Sequence, residues 1–159
     1  VRLIDNDNFS VSAKLDIGVH KQFDIKQEEY CFNLEAINES ATLVINSKEQ
    51  IIVEKLKSLL KLGVRSTRYK DIFDFYYLIN NTELNKDKLV QIIDILIIKD
   101  DLMRENNINE LIEDLTTILD NQIFRNRLAD ARNNWLEKPV DEVVDNIINY
   151  FKSLETVGV

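Results

Sequence analysis

The sequence predicts an α+β protein, with a small antiparallel sheet from residues 1–45 beside a helical bundle from residues 47–155. Two observations carry that expectation. The hydrophobic period switches once along the chain, from 2 residues to 3.6, near Ser47. Three Gly and one Pro in 159 residues leave few interruptions, so the part after the switch reads as long helices. At 45% hydrophobic and 30% charged residues, the chain has the balance of a globular protein and the length for one ordinary core.

The strands come first. Asp5-Asn6-Asp7-Asn8 is a turn signal, which makes residues 2–4 and 9–19 a hairpin. Within the second arm Val11, Ala13, Leu15, Ile17 and Val19 alternate with Ser12, Lys14, Asp16, Gly18 and His20, a period-2 pattern with one buried face. Tyr30, Phe32 and Leu34 alternate again, and residues 42–45 form a short apolar strand after the polar Asn38-Glu39-Ser40.

Helices follow. Ser47-Lys48-Glu49-Gln50 has the capping-box pattern, with Gln50 able to reach back to the Ser47 amide. Gly63 can supply the left-handed residue that ends this first helix, and Thr67 the N-cap of the next, residues 68–80. A third helix covers residues 86–99; its segment 89–98 is apolar nearly all round, which suggests burial between helices or an interface. Ile108, Leu111, Ile112, Leu115, Ile118 and Leu119 mark a fourth. Ile123, Phe124, Leu128, Ala131, Trp135 and Leu136 outline a fifth, and Pro139 suits the first turn of a sixth carrying Val140, Val143, Val144, Ile147, Ile148, Phe151 and Leu154. Such stripes are read as core.

Charge and composition narrow the function. A net charge of −8 argues against a broad nucleic-acid surface, since phosphate binding needs clustered Lys and Arg. A small basic pocket stays open, because Lys55, Lys57, Lys61, Arg65, Arg68 and Lys70 form a basic island in an acidic chain. Lys57 and Lys61 read as a solvated helix face. The lone Cys31 cannot form an internal disulfide and suggests a reducing compartment, the cytoplasm; between Tyr30 and Phe32 it reads as a packed thiol. One Cys and one His are too few for a zinc site. No signal peptide is visible, and the apolar run 89–98 is too short to span a bilayer. A chain that opens Val-Arg-Leu-Ile, without Met, is expected to be a fragment of a longer protein.

Two charges break the helical patterns. On a wheel of about 100° per residue, Lys55 falls in the apolar arc of Ile51, Ile52, Leu56, Leu59, Leu60 and Leu62. In the next helix Lys70 and Asp74 fill the one polar window, while Asp71 sits between Phe75 and Leu78. An unpaired buried charge costs several kcal/mol, so such residues have a partner or a task. The bland alternative is that Lys55 snorkels to water and Asp71 caps its helix.

Three segments then line up in order: Lys-Leu-Asp-Ile at 14–17, Val-Glu-Lys-Leu-Lys-Ser-Leu-Leu at 53–60, and Ser-Thr-Arg-Tyr-Lys-Asp-Ile-Phe-Asp-Phe-Tyr-Tyr-Leu at 66–78. Together they resemble the AbiEii/AbiGii nucleotidyltransferase toxins of bacterial abortive-infection and type IV toxin–antitoxin systems. Those proteins carry a K-x-D-I strand, then A-E-K-L-x-x-[IL], then T-R-x-R-D-x-Y-D-I-Y. The likeness covers about residues 12–79; beyond it only the helical character matches. It implies residues 1–46 as the C-terminal part of a nucleotidyltransferase-like β lobe and 47–159 as a helical lobe.

The resemblance also implies chemistry. Nucleotidyl transfer is an in-line displacement at phosphorus, catalysed by positioning and charge neutralisation, with strand carboxylates holding two Mg²⁺. Asp16 would be a metal-binding carboxylate, Lys55 a point charge on a triphosphate oxygen, and Asp71 the acidic residue of the following motif with Asp74 its companion. Arg65 and Arg68 would lie near the phosphates or an RNA acceptor. Val53 stands where the family has Ala, and Lys70 where it has Arg, which keeps the charge but loses the bidentate fork. The family's first motif, a Gly-Ser pair followed by D-x-D, is missing: Gly18, Gly63 and Gly158 are each followed by Val, and Asp5-Asn6-Asp7 reads as a turn. The motif is expected upstream in a longer protein, which would use an NTP, Mg²⁺ and an RNA acceptor such as tRNA; these residues alone are expected to be inactive. The rival reading is an acidic interaction module, with residues 89–98 or 140–154 partly exposed to a partner such as an antitoxin and Lys55–Asp71 a structural ion pair.

Overall fold

The computed structural model describes residues 2–4, 10–12, 25–34, 38–130 and 132–155. Two antiparallel hairpins precede the helices. β1 (Arg2–Ile4) pairs with β2 (Ser10–Ser12), and β3 (Glu28–Leu34) with β4 (Glu39–Ile45), in register Tyr30↔Leu43 and Phe32↔Ala41. Among the described residues these are two separate two-stranded sheets rather than one, and every strand lies before residue 46. Most of the long arm expected over residues 9–19, including Asp16, lies outside the described residues.

Helices α1 (Lys48–Leu62), α2 (Tyr69–Asn81), α3 (Lys86–Ile93), α4 (Ile108–Asp120), α5 (Gln122–Leu128) and α6 (Val140–Lys152) complete the α+β fold. They share one core. α1 packs on α3 and α4, α2 on α6 and α5, and α4 on α6 and α5. Leu56, Phe73, Phe75, Ile93, Leu115, Phe124 and Phe151 are fully buried within it, and the Phe75 and Phe151 rings meet edge to face at 6.4 Å. The 89–98 segment is inside this core, with Leu89, Ile92, Ile93, Leu96 and Ile97 buried. Its second half, Asp94–Ile98, widens into a π-helical turn, the Lys99 amide donating to the Asp94 carbonyl at 2.9 Å. Val143, Val144, Ile147, Ile148, Phe151 and Leu154 of the 140–154 stripe are buried too. Both stretches invoked for an interaction module pack mainly against other helices, with Val90, Ile95, Ile98 and Val140 only partly buried.

Local chemistry explains where the elements start and stop. The Ser47 hydroxyl accepts from the Gln50 amide at 3.2 Å and caps α1. The reciprocal half of the box is not made, because the Gln50 side-chain amide turns to Glu54 at 2.9 Å. Gly63 ends the helix at φ 58°, ψ −144°, a conformation that glycine adopts without a Cβ penalty. A single 3₁₀ turn, Gly63–Arg65, reverses the chain. Thr67 does not cap α2; Arg68 holds the cap position without a side-chain bond, and buried Ser66 accepts from the Arg68 amide at 3.3 Å. Pro139 likewise precedes α6 as its N-cap residue rather than opening its first turn.

The fifth helix is shorter than its stripe. Past Leu128, Asp130 accepts from the Arg132 amide at 2.9 Å and Asn133 donates to the Arg127 carbonyl at 2.8 Å. These side chains compete with the helical ladder and end it. Trp135 is left 46% exposed against Tyr77 and Ile123 65% exposed, so neither is core. Cys31 is exposed rather than packed, because nothing among the described residues covers that face of the β3–β4 hairpin.

Candidate functional site

The turn after α1 lays α2 beside it, and the two charges that break the helical patterns meet. The buried stripe of α1 centres on Leu56, with Ile52, Val53 and Leu59. Lys55 stands at the edge of that stripe, facing α2, rather than inside it; Ile51 is only half-buried and Leu62 exposed. Asp71 is buried among Tyr69, Ile72, Phe73 and Phe75 of α2.

The Lys55 ammonium donates to Asp71 Oδ1 at 2.5 Å and to Asp74 Oδ2 at 2.9 Å. Arg68 Nε donates to the other Asp71 oxygen at 2.5 Å. Side-chain exposure rises outward, from 13% at Asp71 and 21% at Lys55 to 34% at Asp74 and 51% at Arg68. The cluster is thus a buried carboxylate held by two cations, with its open side towards solvent. Asp71 caps nothing with its side chain, and Lys55 does not snorkel free.

Electrostatics fix the role that Lys55 can take. Burial works against its charge, but the hydrogen bonds from Asp71 and Asp74 outweigh that and raise its pKa above the ordinary value. It therefore stays protonated at neutral pH, a point charge and not a base. An ammonium has three donors; the carboxylates take two, leaving one for an anionic oxygen.

The remaining expected site residues are arranged as follows. Arg65, on the 3₁₀ turn, is exposed and without a partner among the described residues; Lys70 is the same on the first turn of α2. Arg68 is committed to Asp71 rather than free for a phosphate. Lys57 is not a bare solvated charge, because it forms an ion pair with Asp100, and this pairing holds the Asp100 carboxyl below its ordinary pKa. Nothing in the sequence links two residues so far apart. Nor does any pattern in the sequence mark the buried Glu49. It accepts from the Asn85 amide at 3.0 Å and pairs with Lys88 at 3.3 Å, which itself reaches Glu28 at 2.6 Å.

These residues do not fit a divalent metal. Among the described residues no group of three or more His, Cys, Asp or Glu side chains is placed to hold one. Asp71 and Asp74 face each other across an ammonium, which already occupies the place of a cation. Asp16 lies outside the described residues. No helix among the described residues is long and apolar enough to cross a membrane.

Fold and site together define an α+β protein whose helical part holds a fixed cationic point beside two carboxylates. The family model described as nucleotidyl transferase AbiEii toxin, type IV TA system, matches residues 6–149. The chain belongs to that family, whose members are toxin nucleotidyltransferases. No match is found among curated proteins or solved structures.

Proposed function

We propose that this chain is the C-terminal part of a nucleotidyltransferase toxin that moves a nucleotide from an NTP to an RNA acceptor. The observation that supports this best is the Lys55 ammonium between Asp71 and Asp74, in segments that resemble the family's motifs. Asp71 and Asp74 aim and charge the lysine, and its third donor meets a triphosphate oxygen of the NTP. Arg68 holds Asp71 from the far side, so the carboxylate cannot turn away. Arg65 and Lys70 extend the positive rim towards the substrate.

Residues 1–46 belong, on this reading, to a β lobe whose Gly-Ser and D-x-D residues lie upstream in a longer polypeptide. Asp16 is the one carboxylate this chain contributes to Mg²⁺. A cognate antitoxin, protein or gene, completes the system, as type IV membership suggests. These 159 residues alone are expected to be inactive, since a single carboxylate does not hold two metal ions.

Labelled NTPs, Mg²⁺ and total RNA, offered in parallel to this chain and to the longer protein, test the reading. Label should enter RNA with the longer protein only, and Asp16→Ala should abolish it. Label transferred by this chain alone, or the absence of RNA labelling with the longer protein, contradicts it.

A further inference from the structure

The opposite side of the first turn of α2 opens on a cleft with exposed hydrogen-bond donors. Asp71 points from that turn towards α1, whereas Tyr69 points towards α5, its ring 5.4 Å from that of Phe124. A cleft of about 540 Å³ opens there, lined by Tyr69, Ile123, Asn126, Arg127, Asp130 and Arg132 among others.

The lining is rich in unengaged donors. Arg127 donates one N–H to the Tyr69 hydroxyl at 3.0 Å and has no carboxylate partner among the described residues. A guanidinium has five donors, so the rest of the fork is open. The Tyr69 hydroxyl accepts that bond and keeps its own proton for another acceptor. Asn126 accepts from Gln122 at 3.0 Å through its oxygen, which leaves its NH₂ group. The one carboxylate in the cleft does not oppose an anion. Asp130 is engaged by the Arg132 guanidinium through 3.0 and 2.6 Å bonds and by the Arg132 amide, which hold its pKa down to about 2. That pair cancels, and Arg127 sets the sign of the cleft.

We propose that this cleft, centred on Arg127 and Tyr69, binds a backbone phosphate of single-stranded RNA, the same chain whose end is offered at Lys55. The inference rests on the RNA-acceptor reading. The planar fork of Arg127 suits a phosphate, and the 65%-exposed Ile123 beside it offers an apolar surface for the adjoining base or sugar. Lys70, exposed between the two faces of the α2 turn, continues the positive track from one to the other.

Anisotropy of a short fluorescein-labelled single-stranded oligoribonucleotide, titrated with this chain at several salt concentrations, tests the proposal. Arg127→Ala should weaken binding about tenfold and lower the salt slope by about 1. Arg127→Lys keeps the charge without the fork and should fall between. Lys152→Ala, which removes an exposed charge at the end of α6, should match the unaltered chain. Equal binding by Arg127→Ala overturns the cleft while leaving RNA as a ligand. Binding of polyglutamate but not RNA, with the same dependence on Arg127, makes it a protein-docking site and overturns it too. If the chain binds no RNA, the cleft has no such role, and RNA labelling by the longer protein decides the acceptor reading separately.

Discussion

Asp71 is the residue on which two cations converge, so its removal has consequences that removal of Asp74 does not. Asp71→Ala leaves a half-buried ammonium with one carboxylate and frees Arg68, whereas Asp74→Ala removes only the outer, more exposed partner. Urea unfolding should show Asp71→Ala destabilised by about 2 kcal/mol and Asp74→Ala by about 1 kcal/mol or less. Equal losses would show that the cluster has no inner and outer member. At this scale the conflict with the apolar pattern points to Lys55 and Asp71, two residues that pair in the structure. It placed Lys55 too deep, because the buried face of α1 is set by its neighbours α3 and α4 and not by the residues of α1 alone. It left Lys57 solvated because Asp100 reaches it from a distant loop.

Among the elements, the α1–α3 contact depends on Glu49. Burial raises the pKa of this carboxyl, but the bonds from the Asn85 and Glu49 amides and Ser47, with the Lys88 charge, bring it below the ordinary 4.5. A carboxylate with a depressed folded pKa adds stability above its unfolded value and loses it as pH falls through the folded one. Thermal denaturation should therefore show Glu49→Gln less stable than the unaltered chain at pH 7, by about 1–2 kcal/mol. The gap should close as pH falls below about 4.5. A gap that persists unchanged into acid would assign the loss to packing. Helix starts with a short-range signal, such as Ser47, and the stop at Gly63 could be read from sequence. The end of α5 could not, because its stripe continues to Leu136 while Asp130 and Asn133 redirect the backbone through side-chain bonds that no periodicity reports.

Over the whole molecule, the single switch of period near Ser47 points to the α+β class, and the six α-helices among the described residues fall in the expected order. What periodicity cannot give is whether a strand face has a cover. Tyr30 and Phe32 pack on each other at 4.6 Å yet stay 51% and 40% exposed, and Cys31 lies exposed on the other face. Cys31 should be alkylated by iodoacetamide in the folded chain at close to the rate of the unfolded one, read by mass spectrometry. Strong protection without denaturant would mean that the hairpin is covered in solution. The central claim, that the cationic point on α1 serves nucleotide transfer, is tested most directly by induced expression of the proposed longer protein carrying Lys55→Ala or Lys61→Ala. Lys61, exposed on the same helix and bonded to no carboxylate among the described residues, is a better control than Lys57, which pairs with Asp100. With circular dichroism showing both variants folded, growth should recover with Lys55→Ala and stay arrested with Lys61→Ala. Growth arrest by a folded Lys55→Ala protein as complete as that by Lys61→Ala would contradict the account and leave the Lys55–Asp71–Asp74 cluster as structural ion pairing alone.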